Sequence, residues 1–172
     1  MTPQQALEAL QNKHGAKNYD DDGPPTETSV GFDNRQDITT IEGEIMDCLL
    51  CLPKLEKLSL YNCENLASLP ERIGELKSLT SLNLSGGGYW MALESLPDRF
   101  GECKSLTKLR LSWCKNLESL PDRFGECKSL TSLNLNSCTS LVSLPDSIGE
   151  LESLRELKID RCSQLSLPES FM

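Results

Sequence analysis

Valine and histidine are almost missing from this 172-residue chain, which has two valines, one histidine (His14) and an aromatic content of 5%. So little valine, beside only six isoleucines, argues against an ordinary parallel α/β sheet or sandwich, whose strands are rich in β-branched residues. One histidine leaves little basis for a histidine-based metal site or a Ser-His-Asp triad. No apolar run approaches the roughly 18 residues that suggest a membrane span, so no membrane association is expected. The opening MTPQQALEALQNKHG has no basic start followed by an apolar stretch, so no secretory signal is expected either. These absences point to a soluble protein of the cytoplasm, of a length that suits one main domain.

What the chain does have is leucine, at 31 positions, and an uneven charge. Residues 1–53 hold 10 acidic and 3 basic side chains, which accounts for −7 of the net −9. Residues 54–172 are near balance, with 16 acidic and 14 basic. The acidity therefore belongs to the N-terminal third, and broad phosphate-backbone binding, hence nucleic acid, is disfavoured.

The leucines recur with a period. Segments starting at Leu55, Leu79, Leu106, Leu130 and Leu154 align almost residue for residue, at spacings of 24, 27, 24 and 24. Their shared pattern is L-x-x-L-x-L-x-x-C-x-x-L-x-S-L-P-x-x-[IF]-G-x-[LC]-x-S. The Leu58-Ser59-Leu60 step alternates with period 2, as a short strand with one buried face does. One such strand cannot bury its apolar face alone, so successive strands must stack in parallel about 4.8 Å apart. The Leu-Pro pairs at 69–70, 96–97, 120–121, 144–145 and 167–168 open a return limb, where proline disfavours regular helix and predicts an irregular or short-turn path. The glycines at 74, 101, 125 and 149 suit a tight bend or a positive φ there. A strand limb is narrower than such a return limb, so the stack should curve.

The ends depart from the pattern. Ile45, Leu49, Leu52 and Leu55 sit 24 residues before Ile73-region counterparts at Leu69, Ile73, Leu76 and Leu79, so 45–55 reads as the return half of a degenerate first turn. The same spacing also allows a short amphipathic helix, and 38–54 is taken as an N-terminal cap. Residues 1–37 read as an acidic, largely disordered segment, with DDDGPP inside it and helix-like composition over 4–13. At the other end Phe171 takes the position of Ile148 and Phe124 and no polar cap follows, so either the final turn is open and permits self-association through an uncapped C-terminal repeat, or the chain is a fragment of a longer array. The repeat domain is thus 38–172.

This consensus resembles the leucine-rich repeat family over about residues 38–172. The resemblance implies an α/β solenoid, a curved horseshoe with parallel strands on its concave face. The cysteine after the strand and the later L-P-x-x-[IF]-G are similar to the plant-type intracellular repeats of disease-resistance and Ras-group-related proteins, whereas the 24-residue period sets the chain apart from the shorter units of bacterial effectors. No G-x-x-x-x-G-K-[ST] phosphate loop is present, unlike in a complete resistance receptor.

What the resemblance implies for function is a non-catalytic scaffold that binds a protein partner through the concave face. The alternatives are a ligand-recognition fragment of a plant-like immune receptor, in signal transduction and defence, or an adaptor for a GTPase or ubiquitin ligase. Matched position by position, that face displays three ladders. The first is Lys57, Ser81, Lys108, Ser132 and Glu156. The second is Ser59, Asn83, Arg110, Asn134 and Lys158. The third is Tyr61, Ser85, Ser112, Asn136 and Asp160. Arg110 and the neighbouring Trp113 are the expected anchors, since Arg, Tyr and Trp dominate interface hot spots; the alternative is that the ladders are merely solvated polar positions.

The second candidate is the insert Gly86-Gly87-Gly88-Tyr89-Trp90-Met91, which replaces the usual turn and its cysteine. Either its aromatic tip serves recognition, or Trp90 or Met91 folds back into the space of the missing cysteine. Of eight cysteines, six occupy two repeat positions and read as small core residues. Cys48-Leu-Leu-Cys51 is a lone C-x-x-C that reads as packing, and no metal or cofactor is expected. Pro-Asp-Arg-Phe, at 97–100 and 121–124, puts Asp beside Arg on the return limb as an ordinary surface pair. No nucleophile, base and orienter recur together, so no enzymatic activity is expected.

Overall fold

The computed structural model describes residues 1–20 and 23–167. Every repeat forms one turn of a solenoid. Its leucine-flanked step becomes a three-residue strand: β2 Lys57–Ser59, β3 Ser81–Asn83, β4 Lys108–Arg110, β5 Ser132–Asn134 and β6 Glu156–Lys158. A further strand, β1 Ser29–Gly31, precedes them. The six form one parallel sheet in chain order, and their register places Leu58, Leu82, Leu109, Leu133 and Leu157 opposite one another. The return limb closes with single 3-10 turns, Glu71–Glu75, Asp98–Glu102, Asp122–Glu126 and Asp146–Glu150, each following the extended proline of a Leu-Pro pair. Proline is suited to that place, because its fixed φ starts the turn and its missing donor is not needed there. Narrow strands on one side and wider 3-10 turns on the other make the stack curve, with the strands concave.

One continuous leucine-rich core runs the length of the stack, including Phe100 and Phe124, whose rings stack with centroids 5.9 Å apart. The cysteines have a specific place in it. The thiols of Cys63, Cys114, Cys138 and Cys162 donate to the carbonyls of Phe32, Leu84, Leu111 and Leu135, one turn earlier, at 3.0, 3.6, 3.2 and 3.1 Å. Cys103 and Cys127 do the same to Ile73 and Phe100 on the return limb, at 3.6 and 3.5 Å. A thiol is small enough for the interior and carries a weak donor, which leucine lacks. All eight cysteines are free. Cys48 is buried in the cap and Cys51 half-buried beside it, and among the described residues no cluster of histidine, cysteine and carboxylate could hold a metal. Nor is any described helix long and apolar enough to cross a membrane.

The repeated glycine of the return limb is not explained by positive φ. Gly74, Gly101 and Gly125 do not have positive φ. A Cβ on Gly74 would lie 2.6 Å from the carbonyl oxygen of Arg99 on the next turn, and Cβ atoms on Gly101 and Gly125 would collide with the carbonyls of Arg123 and Ser147. These glycines do lie in tight 3-10 turns, but it is the close approach of the next turn, not a positive φ, that requires glycine. The arginines of this limb also choose other partners than the adjacent aspartates. Arg99 binds Glu102 at 2.9 Å and approaches Glu75 of the preceding turn, while Arg123 binds Glu126 at 2.6 Å. The side chain three residues on shares the face of the turn, which the neighbour in sequence does not.

Residues 1–37, expected to be a largely disordered segment, are built into the fold wherever they are described. Helix α1, Pro3–Asn12, starts with a capping box in which Thr2 and Gln5 bond reciprocally. It buries Ala6 and Leu10 and packs on helix α2, Glu44–Leu50. Strand β1 belongs to a complete first turn: Val30 and Phe32 occupy the core positions of Leu58 and Leu60, and Asn34 that of Asn62, at an offset of 28 residues. From α2 onward the offset becomes 24, because the path from Ile41 to Leu52, which contains α2, is four residues longer than the path from Leu69 to Leu76, which contains a 3-10 turn. The sheet therefore begins upstream of residue 38. At the far end the core opens: Leu154, Leu157, Ile159 and Leu165 are only partly buried, whereas their counterparts Leu130, Leu133, Leu135 and Leu141 are fully so. Phe171 lies outside the described residues.

Candidate interaction surface

The strand register brings the first two ladders together as expected. Lys57, Ser81, Lys108, Ser132 and Glu156 align across the sheet, as do Ser59, Asn83, Arg110, Asn134 and Lys158. Alternation along each strand points them away from the leucine core. The third ladder, Tyr61, Ser85, Ser112, Asn136 and Asp160, stands where the chain leaves the strands.

Several of these side chains are occupied by the fold itself. After every strand but β3 the chain turns sharply through a left-handed residue, at Asn34, Asn62, Trp113, Ser137 and Arg161 (φ 59 to 69°), and the amide just before the bend needs an acceptor. Asn83 Oδ1 accepts from the Ser85 amide at 3.1 Å, and Asn134 Oδ1 from that of Asn136 at 3.0 Å. These are Asx turns, in which the side chain mimics a backbone acceptor two residues on. Asn83 and Asn134 are thus turn caps rather than free contacts. Ser59 is buried, not displayed: its hydroxyl donates to Asp33, which also accepts the Tyr61 amide at 3.1 Å. Ser85 is buried too, for a related reason.

Arginine at 110 and lysine at 158 cannot accept a hydrogen bond, so their turns are capped from the previous one. Ser85 Oγ accepts the Ser112 amide at 3.2 Å, and Asn136 Oδ1 accepts the Asp160 amide at 2.8 Å. A third-ladder residue thus releases the next second-ladder position from its structural duty, and the position released carries a cation both times. At the Tyr61 turn the amide is shared, with Asp33 of the previous turn accepting at 3.1 Å and Ser59 Oγ at 3.3 Å.

The face has a graded electrostatics. Its ladder carboxylates stand at the two ends, Asp33 on the first turn and Glu156 and Asp160 on the last, while the cations Lys57, Lys108 and Arg110 lie between. Glu156 accepts from Ser132 Oγ at 2.6 Å and pairs with Lys158 at 3.1 Å; these two contacts hold its carboxyl below the ordinary range. Lys57 binds both carboxylate oxygens of Asp20, at 2.7 and 3.0 Å, which raises its ammonium above the usual value. Arg110 donates to the phenol oxygen of Tyr19 at 3.0 Å. Among the described residues neither Lys108 nor Arg110 forms an ion pair.

The insert divides between the two roles foreseen for it. Met91 is fully buried and fills the core beside Leu93, while Tyr89 and Trp90 are 62% and 41% exposed. Met91 is therefore a packing residue and not a contact. Trp90 meets Trp113 edge to face, with ring centroids 5.2 Å apart, and the Tyr61 hydroxyl lies against Gly87, where a Cβ would displace the phenol. Tyr61, the insert and Trp113 so form one aromatic rim along the face. Beyond Trp113 the rim opens into a shallow groove of about 600 Å³, lined by Asn136, Ser137, Asp160 and Arg161.

Tyr19, Asp20, Gly31 and Asp33 also belong to this face, although the leucine spacing does not mark them. Their signal was available as the alignment of SVGFDN with KLSLYN at an offset of 28, but valine and phenylalanine in place of leucine concealed it.

A family model described as a leucine-rich repeat region matches residues 36–172. No curated protein sequence matches the chain. Among solved structures, the leucine-rich repeat domain of the type III effector XCV3220 (XopL) is similar over 70% of this chain, at 31% identity and a TM-score of 0.61. The chain spans 39% of the length of that structure. The Leptospira interrogans LRR protein LIC12759 aligns over 95% of this chain and 59% of its own, at 20% identity and a TM-score of 0.30. The plant peptide hormone receptor RGFR1, in complex with RGF2, aligns over 76% and 34%, at 22% identity and a TM-score of 0.25. The 24-residue period thus does not separate this chain from effector repeats, because the XopL domain is similar to it. Domains of this kind generally serve as protein-interaction modules rather than catalysts. Repeat, register, core and family model agree, and the chain belongs to the leucine-rich repeat family.

Proposed function

We propose that the chain is a non-catalytic scaffold that binds a protein partner through its concave strand face, with Arg110 and Trp113 as the anchors. The observation that carries this reading is the displaced cap. At Arg110 the fold does without the acceptor that Asn83 and Asn134 provide and takes one from Ser85 instead, leaving a guanidinium on the middle strand of the face. Trp113 supports it, since a bulky aromatic occupies a left-handed position (φ 69°) that the turns inside the stack fill with Asn34, Asn62 and Ser137, and only the last turn fills with another long side chain, Arg161. Left-handed backbone is costly for a large side chain and tolerated by asparagine, and such strain gathers where function demands it. The eight free thiols suit a reducing compartment, which favours the cytoplasm as the setting.

The test is a partner captured on the immobilised chain and titrated calorimetrically against Arg110→Ala, Trp113→Ala and, on the convex limb, Arg123→Ala. Truncating an interface anchor costs about 2 kcal/mol or more, so both concave changes should weaken binding by at least roughly tenfold without lowering the unfolding temperature. Arg123→Ala should leave affinity intact. Undiminished affinity in both concave variants sinks the proposal.

A further inference from the structure

The acidic N-terminal segment does not hang free of the concave face; it lies on it. Residue 17 pairs antiparallel with the outer edge of β1, through Lys17 N to Gly31 O and Gly31 N to Lys17 O, both at 2.7 Å. The next residues cross the face of β1. Tyr19 N donates to Ser29 Oγ at 2.9 Å, and Ser29 Oγ donates to Asn18 Oδ1 at 2.6 Å. Gly31 makes this path possible. It occupies the second-ladder position of the first turn, aligned with Ser59, and a Cβ there would already touch the Tyr19 backbone at 3.5 Å; any longer side chain would push the segment off.

From this seat two side chains reach across the sheet. The Asp20 carboxylate takes Lys57 on β2, and the Tyr19 phenol takes Arg110 on β4, 91 residues away in sequence. These contacts engage two of the three ladder cations between the acidic ends of the face, and one of the two is the proposed anchor. Lys57 and Asp20 are both substantially exposed (39% and 52%), and pairs of that kind are weak and screened by salt. A segment held at its root by a strand edge and at its tip by weak polar contacts is made to be displaced.

We infer that the concave face is built to hold an acidic segment carrying a tyrosine, and that residues 17–20 of this chain are its resident occupant, which a partner of the same chemistry displaces. The inference rests on the concave-face reading above and specifies the partner for it. The cations at Lys57, Lys108 and Arg110 recognise the carboxylates, and Arg110, just ahead of Trp113 on the same turn, recognises the aromatic hydroxyl.

A fluorescent peptide of sequence KNYDDDG, copied from residues 17–23, tests this on the full chain. Tyr19→Ala combined with Asp20→Ala frees the face while leaving α1 and β1 in place, and Tyr19→Phe removes only the hydroxyl. Polarisation should show the peptide binding the double variant at least tenfold more tightly than wild type, which competes with itself, and Tyr19→Phe in between. Adding Arg110→Ala to the double variant should abolish that gain, and raising salt should erode it. Equal affinity for wild type and double variant, or a gain that survives Arg110→Ala, overturns the inference. The concave-face reading fails separately, through the partner titration: a partner sensitive to Arg110 and Trp113 but indifferent to Tyr19 and Asp20 leaves that reading standing and removes this one.

Discussion

Ser85 and Ser112 are joined across two turns of the solenoid: the Ser85 hydroxyl, buried on β3's exit, accepts the Ser112 amide at 3.2 Å. This bond replaces the one that residue 110 would make if it were asparagine. It ties the identity of a surface cation to a buried hydroxyl one turn away, so the function of one residue and the stability contributed by the other must be coupled.

That coupling is measurable as a double-mutant cycle. Ser85→Ala leaves the Ser112 amide without its acceptor, which should cost about 1–2 kcal/mol in urea unfolding. Arg110→Asn restores the local cap found at Asn83 and Asn134, so in that background Ser85→Ala should cost less than about 0.5 kcal/mol. An equal cost in both backgrounds would show that the two positions are independent, and the displaced cap would lose its meaning.

Trp113→Asn separates recognition from folding. The change relieves a left-handed aromatic, which is strained by about 1–2 kcal/mol, and gives up the edge-to-face contact with Trp90, worth about 0.5–1.5 kcal/mol. The two nearly cancel. Denaturant unfolding should therefore shift by no more than about 1 kcal/mol, while binding of the captured partner falls. A large loss of stability instead would make Trp113 a packing residue, and its loss of binding would carry no information about the face.

The repeat was legible because leucine spacing reports which side chains face inward, and that is a property of sequence alone. Strand positions, the register of Lys57 with Ser81 and Lys108, and the core role of Cys63 and its counterparts all follow from it. What spacing does not report is which outward residues the backbone employs. Asn83, Asn134 and Ser85 looked like members of a recognition surface, and only the positions of the amides after each strand show them to be caps. Gly101 and Gly125 were ambiguous for the same reason: a repeated glycine is equally compatible with a bend and with a close neighbour, and the neighbour belongs to the next turn. The first turn was hidden by substitution, since Val30 and Phe32 fill leucine positions at an altered offset. Tyr19 over Arg110 is a contact across 91 residues outside any repeat, and no periodicity encodes it.

The buried thiols give the fold a dependence on alkaline pH. Burial pushes the Cys103 thiol up to about 12 and those of Cys63 and Cys127 up to about 11, from an ordinary value of 9.0. A group whose pKa is higher in the folded state stabilises the fold fully below its unfolded value and loses that contribution as pH rises through the folded one. Above pH 9 the unfolded chain releases these protons while the folded chain retains them, so stability should fall between about pH 9 and 12. Urea unfolding at pH 8, 9.5 and 11 should show this decline, and the Cys63→Ala, Cys103→Ala, Cys127→Ala triple variant should show a shallower one. The comparison with the variant is what assigns the effect, because lysine and tyrosine titrate in the same range and are common to both chains. If the two slopes are the same, the thiols contribute nothing to the pH dependence. The carbonyl contacts of Cys63, Cys103 and Cys127 then have only a packing role.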